Sequence, residues 1–270
     1  MADTEEKEKE KGPEKVDEVL GRVLSAFSES VQGRTPEEEA RLTGAEAERL
    51  RGQREHNFES SGVPRKYLGV KLSDLRSSPL QLLARSFDGK TVDLCSAADS
   101  FISDVESGIP RAFWLCGNSG TGKTTFALAI MRELCRAGVS AAYFKSHRVM
   151  QAFEETKYFS SRGRRACDVM DDVCRPRFRV FDEIGRYPVA EWEKFRLFDI
   201  SNEVYEDGGS SIYISNLSRK ELGDFLGSAS VDRFRGSSMS LEFDGQSLRG
   251  EAGELYTRFG PALLVSAGAA

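Results

Sequence analysis

The chain has 270 residues and a mass of 29.9 kDa, which suffices for one full-sized domain with an appendage or for two small domains. With 39% hydrophobic and 30% charged residues, it is too apolar to be disordered throughout. Its net charge of −5 at first disfavours a nucleic-acid-binding protein. However, the first 18 residues hold eight acids and four lysines, so the rest of the chain carries only −1. The overall charge therefore says little about partners.

Membrane and secretory classes do not fit the sequence. No apolar run approaches the ~18–20 residues that a bilayer span needs, and the charged N-terminus lacks the apolar segment of a secretory signal. The cysteines form no CxxC pair, and neither His56 nor His147 lies at a metal-ligand spacing from any cysteine. We therefore expect a cytoplasmic protein with reduced thiols, no structural zinc and no membrane contact.

The N-terminal region divides into a tail and two helices. Residues 1–15 are a charge run and predict a flexible tail. Apolar residues spaced i, i+3, i+4, i+7 over 16–31 predict an amphipathic helix, and a capping box at 35–38 (TPEE) predicts a second helix to about Glu55. The apolar stripe of this helical region, 16–57, needs a partner, which is either the body of the protein or another protein.

A linker at 58–85 is predicted to lead into an α/β domain at 86–258, followed by a C-terminal tail at 259–270. Strand-like and helix-like runs alternate in this domain. The alternation predicts right-handed βαβ crossovers and a five-stranded parallel sheet flanked by helices. The predicted strands are 112–116, 139–144, 178–181, 211–215 and 240–243, and the main predicted helices are 123–137 and 189–205.

A glycine-rich loop after the first of these strands carries a complete GxxxxGK[ST] pattern. Its glycines let backbone N–H groups surround a phosphate, and the helix that follows adds its N-terminal dipole. Lys123 can reach the β- and γ-phosphates of ATP, and the Thr124 hydroxyl can bind Mg²⁺. The predicted nucleotide-binding residues are Gly117, Asn118, Ser119, Gly120, Thr121, Gly122, Lys123, Thr124 and Thr125.

A carboxylate for Mg²⁺ is expected on another strand, beside the phosphates. The apolar run 178–181 ends in two acids, at the carboxyl end of a strand, where ligands of open parallel sheets bind. We assign Asp182 to Mg²⁺ together with Thr124, and Glu183 to the general base that polarises an attacking water. A carboxylate base favours hydrolysis by water over transfer to a small acceptor. The sequence thus predicts an ATPase that uses ATP and Mg²⁺.

The order of these motifs resembles the DnaC-type helicase loaders and their close relatives, the IstB-like transposition helper ATPases, both of the AAA+ class. The resemblance covers roughly residues 58 to 249, and a DEIG run after a GxxxxGKT loop is specific to this group. Leu248 departs from the family pattern, which usually has an aromatic there. The segments that carry the resemblance are 61–64 (SGVP), 180–185 (VFDEIG), 214–216 (ISN), 231–234 (VDRF) and 247–249 (SLR).

The resemblance implies roles for three more polar residues. Asn216 corresponds to the sensor that positions the lytic water, although an asparagine there could equally cap the helix beginning near Ser218. Arg233 corresponds to the arginine finger that reaches a neighbouring subunit's nucleotide, and Arg235 could fill that place instead. Arg249 corresponds to the second sensor arginine. The alternative for each arginine is a surface ion pair, whereas a finger in trans implies an ATP-dependent homo-oligomer whose lone subunits hydrolyse ATP slowly.

Single-stranded DNA is typically held by a basic groove with aromatic platforms. In the helicase loaders, aromatics associated with single-stranded DNA lie at the spacings of Phe159 and Trp192 from Asp182. Both could instead be core residues. The candidate DNA contacts are Phe159, Arg162, Arg164, Arg165 and Trp192.

The favoured function is an ATP-dependent loader that engages single-stranded DNA and delivers a replicative helicase bound by the N-terminal helices. One alternative is a transposition helper with a transposase as client, and another is a nucleotide-gated adaptor with little turnover. A small-molecule P-loop kinase is disfavoured by Glu183, Asn216 and Arg233. The core motifs do not separate helicase from transposase as the client.

Overall fold

A computed structural model describes most of the chain between residues 41 and 245. The predicted tails at 1–15 and 259–270 and the predicted helix at 16–31 lie outside the described residues. The described ranges are 41–77, 83–86, 88–158, 165–186, 190–226 and 238–245.

Within these ranges, seven strands form one sheet in the order β2-β1-β7-β3-β6-β5-β4. Strands β7, β3, β6, β5 and β4 run parallel, which confirms the predicted five-stranded parallel sheet, while β1 is antiparallel to both β7 and β2. Strands β1 and β2 were not predicted, because such short strands leave no periodic pattern, and most of β1 lies in the predicted linker. The strands are β1 (Leu83–Ser86), β2 (Thr91–Asp93), β3 (Ala112–Gly117), β4 (Ala141–Lys145), β5 (Phe178–Ile184), β6 (Ser210–Ser215) and β7 (Ser238–Phe243).

Helices cover both faces of the sheet. The predicted helices at 123–137 and 189–205 are confirmed as α4 and α7, with ends that differ by one or two residues. The helices of the described ranges are α1 (Gly44–Ser60), α2 (Leu72–Arg76), α3 (Leu94–Glu106), α4 (Lys123–Arg136), α5 (Ser146–Tyr158), α6 (Ala166–Cys174), α7 (Glu191–Glu206) and α8 (Arg219–Leu226), with a 3-10 turn at Arg65–Tyr67.

Alternation along the strands builds a separate apolar core on each face of the sheet. In β3, Phe113 and Leu115 join the core beneath α1–α4, whereas Trp114 and Cys116 join the core beneath α5–α7. Strands buried on both faces explain the continuous apolar runs from which the sequence predicted them.

The helix before the sheet begins later than predicted. Residues 41–43 are not helical, and α1 begins at Gly44, where the Thr43 N–H and hydroxyl both donate to Glu46 (3.0 and 2.7 Å). This second S/T-x-x-E box starts α1, whereas the predicted box at 35–38 lies outside the described residues. The helix then continues to Ser60, five residues past the predicted end.

The last turns of α1 pack against α4. Phe58 is completely buried, and the guanidinium of Arg132 on α4 lies over its ring at 5.2 Å. Arg132 also forms an ion pair with Glu55 and donates to the carbonyl oxygens of Leu68 (2.5 Å) and Val70 (3.0 Å). The predicted boundary between residues 57 and 58 therefore falls inside a helix that packs on the sheet domain.

In the described part of the chain, no helix has the length and apolarity to cross a membrane. The same residues contain no cluster of three or more His, Cys, Asp or Glu side chains that could bind a metal. The cysteines are all free thiols: Cys95, Cys116, Cys135, Cys167 and Cys174.

Candidate nucleotide-binding site

The carboxyl ends of three adjacent strands bring the predicted site residues together. Strand β6 lies between β3 and β5, and all three run parallel. The glycine-rich loop follows β3, Asp182 and Glu183 lie near the end of β5, and Asn216 follows β6. Ligands of open parallel sheets bind at this edge. The three predicted segments therefore face one common space.

Glycine is required at two points of the loop. A Cβ on Gly117 (φ 108°) would lie 2.4 Å from the carbonyl oxygen of Phe243, so β7 closes tightly against the start of the loop. Gly122 has a φ of 93° and is the N-cap of α4. These conformations turn the chain from strand to helix, so the loop ends at the N-terminus of α4, the positive end of its dipole.

Lys123, the first residue of α4, lies inside this loop with 4% of its surface exposed. Its Nζ donates to the carbonyl oxygens of Gly117 (2.7 Å) and Asn118 (2.5 Å). The Thr121 hydroxyl donates to the same Asn118 carbonyl (2.9 Å), which closes the loop. A buried ammonium at a helix N-terminus fits the phosphates of a nucleotide.

Asp182 is the centre of a hydrogen-bond network and is 7% exposed. Its Oδ2 accepts from the hydroxyls of Thr124 (3.0 Å) and Tyr143 (2.9 Å), and its Oδ1 accepts from the N–H of Glu183 (2.8 Å). Hydroxyl and carboxylate oxygens are the ligands that Mg²⁺ prefers. The donor set formed by Thr124 and Asp182 therefore fits the predicted metal ion.

Glu183 lies in a bulge of β5. The pairing of β5 with β6 shifts between Phe181 and Ile184, and Glu183 has a φ of 65°, in the left-handed region that non-glycine residues rarely adopt. Such backbone strain is held by its surroundings and is often found at functional sites.

Three basic side chains surround the carboxylate of Glu183. Arg186 Nη1 lies 2.6 Å and Lys145 Nζ 3.9 Å from Oε1, and His147 Nδ1 lies 3.6 Å from Oε2. Burial lowers the pKa of His147 below its ordinary value, although the charge of Glu183 opposes the shift. The imidazole is therefore mainly neutral at pH 7, and the lysine and arginine supply the positive charge.

The chain around Asn216 is tied to both other segments. The Ser215 hydroxyl donates to the carbonyl oxygen of Ile184 (2.8 Å), and the Leu217 carbonyl oxygen accepts from the N–H of Gly117 (2.9 Å). Asn216 itself is exposed between these two anchors. Its position beside the loop and the acidic pair is compatible with a sensor.

The helix-capping alternative for Asn216 is wrong. Helix α8 begins at Arg219, and Ser218 is the residue that caps it. The Ser218 N–H and hydroxyl donate to Glu221 (2.8 and 2.7 Å), and the Glu221 N–H donates back to the Ser218 hydroxyl (3.3 Å).

Two of the candidate DNA contacts are described. Arg165 is exposed at the N-terminus of α6 and forms an ion pair with Asp168 (3.0 Å). Trp192 is half-buried on α7. The predicted site residues that lie outside the described residues are Phe159, Arg162, Arg164, Arg233 and Arg249, together with the alternative finger Arg235.

Trp192 lines a surface cavity of about 380 Å³ between α5, the start of α6 and α7. Lys157 Nζ lies 4.1 Å from the centre of its ring, and Arg196 lies 5.1 Å from the ring of Phe153. Phe195 at the same cavity is 66% exposed. Trp192 is therefore only partly a core residue. It packs against the core beneath α5–α7 and also lines the cavity.

Four residues of the site were not predicted: Tyr143, Lys145, His147 and Arg186. Arg186 stands three residues after Glu183, a spacing at which side chains can pair. The other three lie at the end of β4 and the start of α5. Their proximity to Asp182 and Glu183 depends on the order of the strands in the sheet. The one available signal was a cluster of polar residues directly after a predicted strand.

Comparison with known proteins agrees with this geometry. The profile of the family described as IstB-like ATP binding protein matches residues 83–253. The replicative helicase loader DnaC of Escherichia coli (strain K12) is 27% identical over 155 residues, and DnaC of Shigella flexneri matches equally well. Each alignment covers 57% of this chain and 62% of the relative, so the chain spans under two thirds of these curated relatives.

Two solved structures share the fold. The crystal structure of the DnaC helicase loader has a TM-score of 0.50 and 18% identity, over 66% of this chain and 99% of that one. The crystal structure of DnaI has a TM-score of 0.50 and 20% identity, over 67% and 94%. These likenesses confirm the predicted α/β fold, a mostly parallel sheet flanked by helices.

Proposed function

The chain belongs to the IstB-like ATP binding protein family, and on that basis we propose that it is an Mg²⁺-dependent ATPase that loads a replicative helicase. The observation that carries the ATPase proposal is the 3.0 Å contact between the Thr124 hydroxyl and Asp182, beside the buried ammonium of Lys123. This contact joins the phosphate loop to β5, the strand that carries the two acids near its end.

Each residue of the site has a role in this proposal. Lys123 and the N–H groups of the loop bind the β- and γ-phosphates. Thr124 and Asp182 hold Mg²⁺, which neutralises phosphate charge when bound. Glu183 orients and deprotonates the attacking water, and Asn216 positions that water.

The test compares nucleotide binding with turnover in the full chain. Lys123→Ala is expected to abolish ATP binding, whereas Glu183→Gln should bind ATP with unchanged affinity and lose about a hundredfold or more of the hydrolysis rate. Equal turnover by Glu183→Gln and the parent chain would show that another group activates the water.

Assembly is proposed to complete the active site. An arginine finger, Arg233 or Arg235, would act on the nucleotide of a neighbouring subunit, where such a residue contributes about 10³–10⁵ to the rate. The rate per subunit should therefore rise with protein concentration and fall in one of the two alanine variants. A high rate that is independent of concentration and unaffected by either variant would contradict assembly.

The proposed client is a replicative helicase, because the relatives over the matched region are replicative helicase loaders. We assign helicase binding to the apolar stripe at 16–31. We also propose that this protein acts in the cytoplasm. Full-length chain should retain a purified hexameric helicase, and Leu20→Asp with Leu24→Asp should abolish the retention, while Asp17→Ala on the polar side should not. Retention of a transposase instead would identify a transposition helper.

Single-stranded DNA is proposed to bind at the Trp192 cavity. The indole beside Lys157 and the exposed ring of Phe195 offer stacking surfaces and positive charge. Trp192→Ala should weaken binding about fivefold to a hundredfold, with a salt-dependent affinity. Tyr205→Ala, at an exposed aromatic elsewhere on the same helix, is the matched control, and an equal loss in both variants would contradict the assignment.

A second candidate, a nucleotide-gated adaptor with little turnover, is supported by one observation. The carboxylate of Glu183 is engaged by Arg186 at 2.6 Å, which lowers its availability to a water molecule. ATP binding without phosphate release, in the presence of both single-stranded DNA and helicase, would favour the adaptor over the ATPase.

A further inference from the structure

Tyr143 makes a contact with the acidic pair that no motif in the sequence indicates. It lies in β4 opposite Val180 of β5, two residues before Lys145, which lies opposite Asp182. Side chains two residues apart share a face of a sheet, so Tyr143 and Asp182 lie on the same face, diagonally across neighbouring strands. The length of the tyrosine side chain spans this diagonal, and its hydroxyl donates to Asp182 Oδ2 at 2.9 Å.

The ring of Tyr143 is fixed by its surroundings. The residue is 6% exposed and belongs to the apolar core beneath α1–α4. Its backbone N–H donates to the carbonyl oxygen of Ser61 (2.8 Å), which ties the exposed edge of β4 to the turn after α1. A ring held in this way presents its hydroxyl at one place, so the hydrogen bond to Asp182 is preorganised.

Two hydroxyl groups donate to Asp182 Oδ2, those of Tyr143 (2.9 Å) and Thr124 (3.0 Å). The Thr124 hydroxyl is also the group expected to bind Mg²⁺. Of the two donors to Asp182 Oδ2, Tyr143 is thus the one that is not itself expected to bind Mg²⁺.

We propose that Tyr143 is a positioning residue that fixes the Asp182 carboxylate for Mg²⁺ bound with a nucleotide. This inference rests on the proposed function. Removal of the hydroxyl leaves Oδ2 with Thr124 alone and allows the carboxylate to rotate. Groups that orient metal-binding side chains typically contribute about tenfold to a hundredfold in metal affinity. Because Mg²⁺ keeps several waters and the nucleotide phosphates as ligands, we expect about tenfold here.

The test measures the affinity of the full chain for a fluorescent ATP analogue, first in EDTA and then during a Mg²⁺ titration. Tyr143→Phe should bind the analogue in EDTA within about twofold of the parent chain, while its Mg²⁺ midpoint rises about tenfold. Tyr213→Phe is the matched control: this tyrosine is also buried, but it belongs to the opposite core, where it stacks on Trp114 and Phe181. Its Mg²⁺ midpoint should not change.

A double variant separates positioning from a general structural effect. In the background of Asp182→Asn, Tyr143→Phe should not raise the Mg²⁺ midpoint further, because the carboxylate that it orients is gone. A full additional shift in that background, an unchanged midpoint in the single variant, or a loss of affinity already in EDTA would each overturn the inference. If binding of the ATP analogue by the parent chain does not depend on Mg²⁺, both the proposed function and the inference about Tyr143 fail.

Discussion

The guanidinium of Arg186 lies 2.6 Å from the carboxylate of Glu183, the residue that we expect to activate the attacking water. The pair forms across the turn that follows the β5 bulge, where the left-handed backbone of Glu183 and the glycine conformation at Gly185 (φ 70°) reverse the chain. A second cation, Lys145, lies 3.9 Å away. The carboxylate of Glu183 is therefore engaged by positive charge, which fixes its direction and limits its access to a water molecule.

Replacement of Arg186 by glutamine is expected to raise the basal ATPase rate. The Arg186 side chain is 49% exposed, so solvent screens its ion pair with Glu183. The interaction energy of such a pair is about 0.5–1 kcal/mol, which corresponds to a roughly two- to fivefold change in rate. Steady-state phosphate release at saturating ATP and Mg²⁺ measures the change. Arg111→Gln is the matched control, because it removes an ion pair with Asp104 (2.7 Å) at the start of β3, the opposite edge of the sheet. A lower rate in Arg186→Gln would instead indicate that the arginine assists hydrolysis.

Gly117→Ala is expected to unfold the start of the phosphate loop. The new Cβ would lie 2.4 Å from the Phe243 carbonyl oxygen, which is backbone and cannot move aside, and a φ of 108° is unfavourable for alanine. We expect a loss of at least about 2 kcal/mol of unfolding free energy and loss of ATP binding.

Gly223→Ala provides the control for this substitution. Gly223 lies within α8, and a Cβ there would meet no atom within 4 Å. Alanine should raise the unfolding free energy by about 0.5–1 kcal/mol, because it is the better helix former. Urea denaturation measures both variants. Equal stability of Gly117→Ala and the parent chain would contradict the tight closure of β7 on the loop.

Local patterns predicted the parts of the molecule that depend on neighbours in sequence. The loop around Lys123 and the strand that carries Asp182 were predicted because their residue types and spacing are those that phosphate and metal binding require. The fold class followed from the alternation of strands and helices. The register of β4 against β5, which brings Tyr143 to Asp182, is a property of strand order and has no local signal.

The boundary of the N-terminal helix illustrates the same limit. The sequence predicted one helix from the box at 35–38 to about Glu55, but residues 41–43 are not helical and α1 starts at the box of Thr43. The end of α1 is decided by contacts with Arg132, which is 77 residues away from Glu55 in the chain. Long-range packing of this kind overrides local preference.

Thiol reactivity is expected to separate the cysteines by burial. Cys167 is exposed, whereas burial raises the pKa of Cys174 to about 11 and that of Cys135 to about 12. Because the thiolate is the reactive form, the native protein at pH 8 should react rapidly with a disulfide reagent at one thiol. Cys167→Ser should remove this fast phase, and denaturant should expose all five thiols. Cys95 on α3 is half-buried and burial raises its pKa, so it should react more slowly than Cys167. A fast phase that survives Cys167→Ser would therefore contradict the packing of α3, α4 or α6.

Arg132→Met is expected to loosen α1 from the nucleotide-binding helix. The substitution keeps a long side chain over Phe58 but leaves the carbonyl oxygens of Leu68 and Val70 without their donor. Each unpaired buried acceptor costs about 1–3 kcal/mol, and this cost falls when the structure relaxes and exposes the acceptor to water. We therefore expect the free energy of unfolding, measured by urea denaturation, to fall by about 2–3 kcal/mol.

The neighbouring Arg136→Met tests whether charge alone explains the effect. Arg136 is 43% exposed and pairs with Glu133 on the same helix (3.0 Å) and with Glu55 on α1 (3.8 Å). Because solvent screens both pairs, its loss should change the unfolding free energy by less than about 0.5 kcal/mol. Hydrogen exchange should show faster exchange of the α1 amides in Arg132→Met and unchanged exchange in Arg136→Met. Equal exchange in the two variants would mean that the apolar contact of Phe58, rather than Arg132, holds α1 on α4.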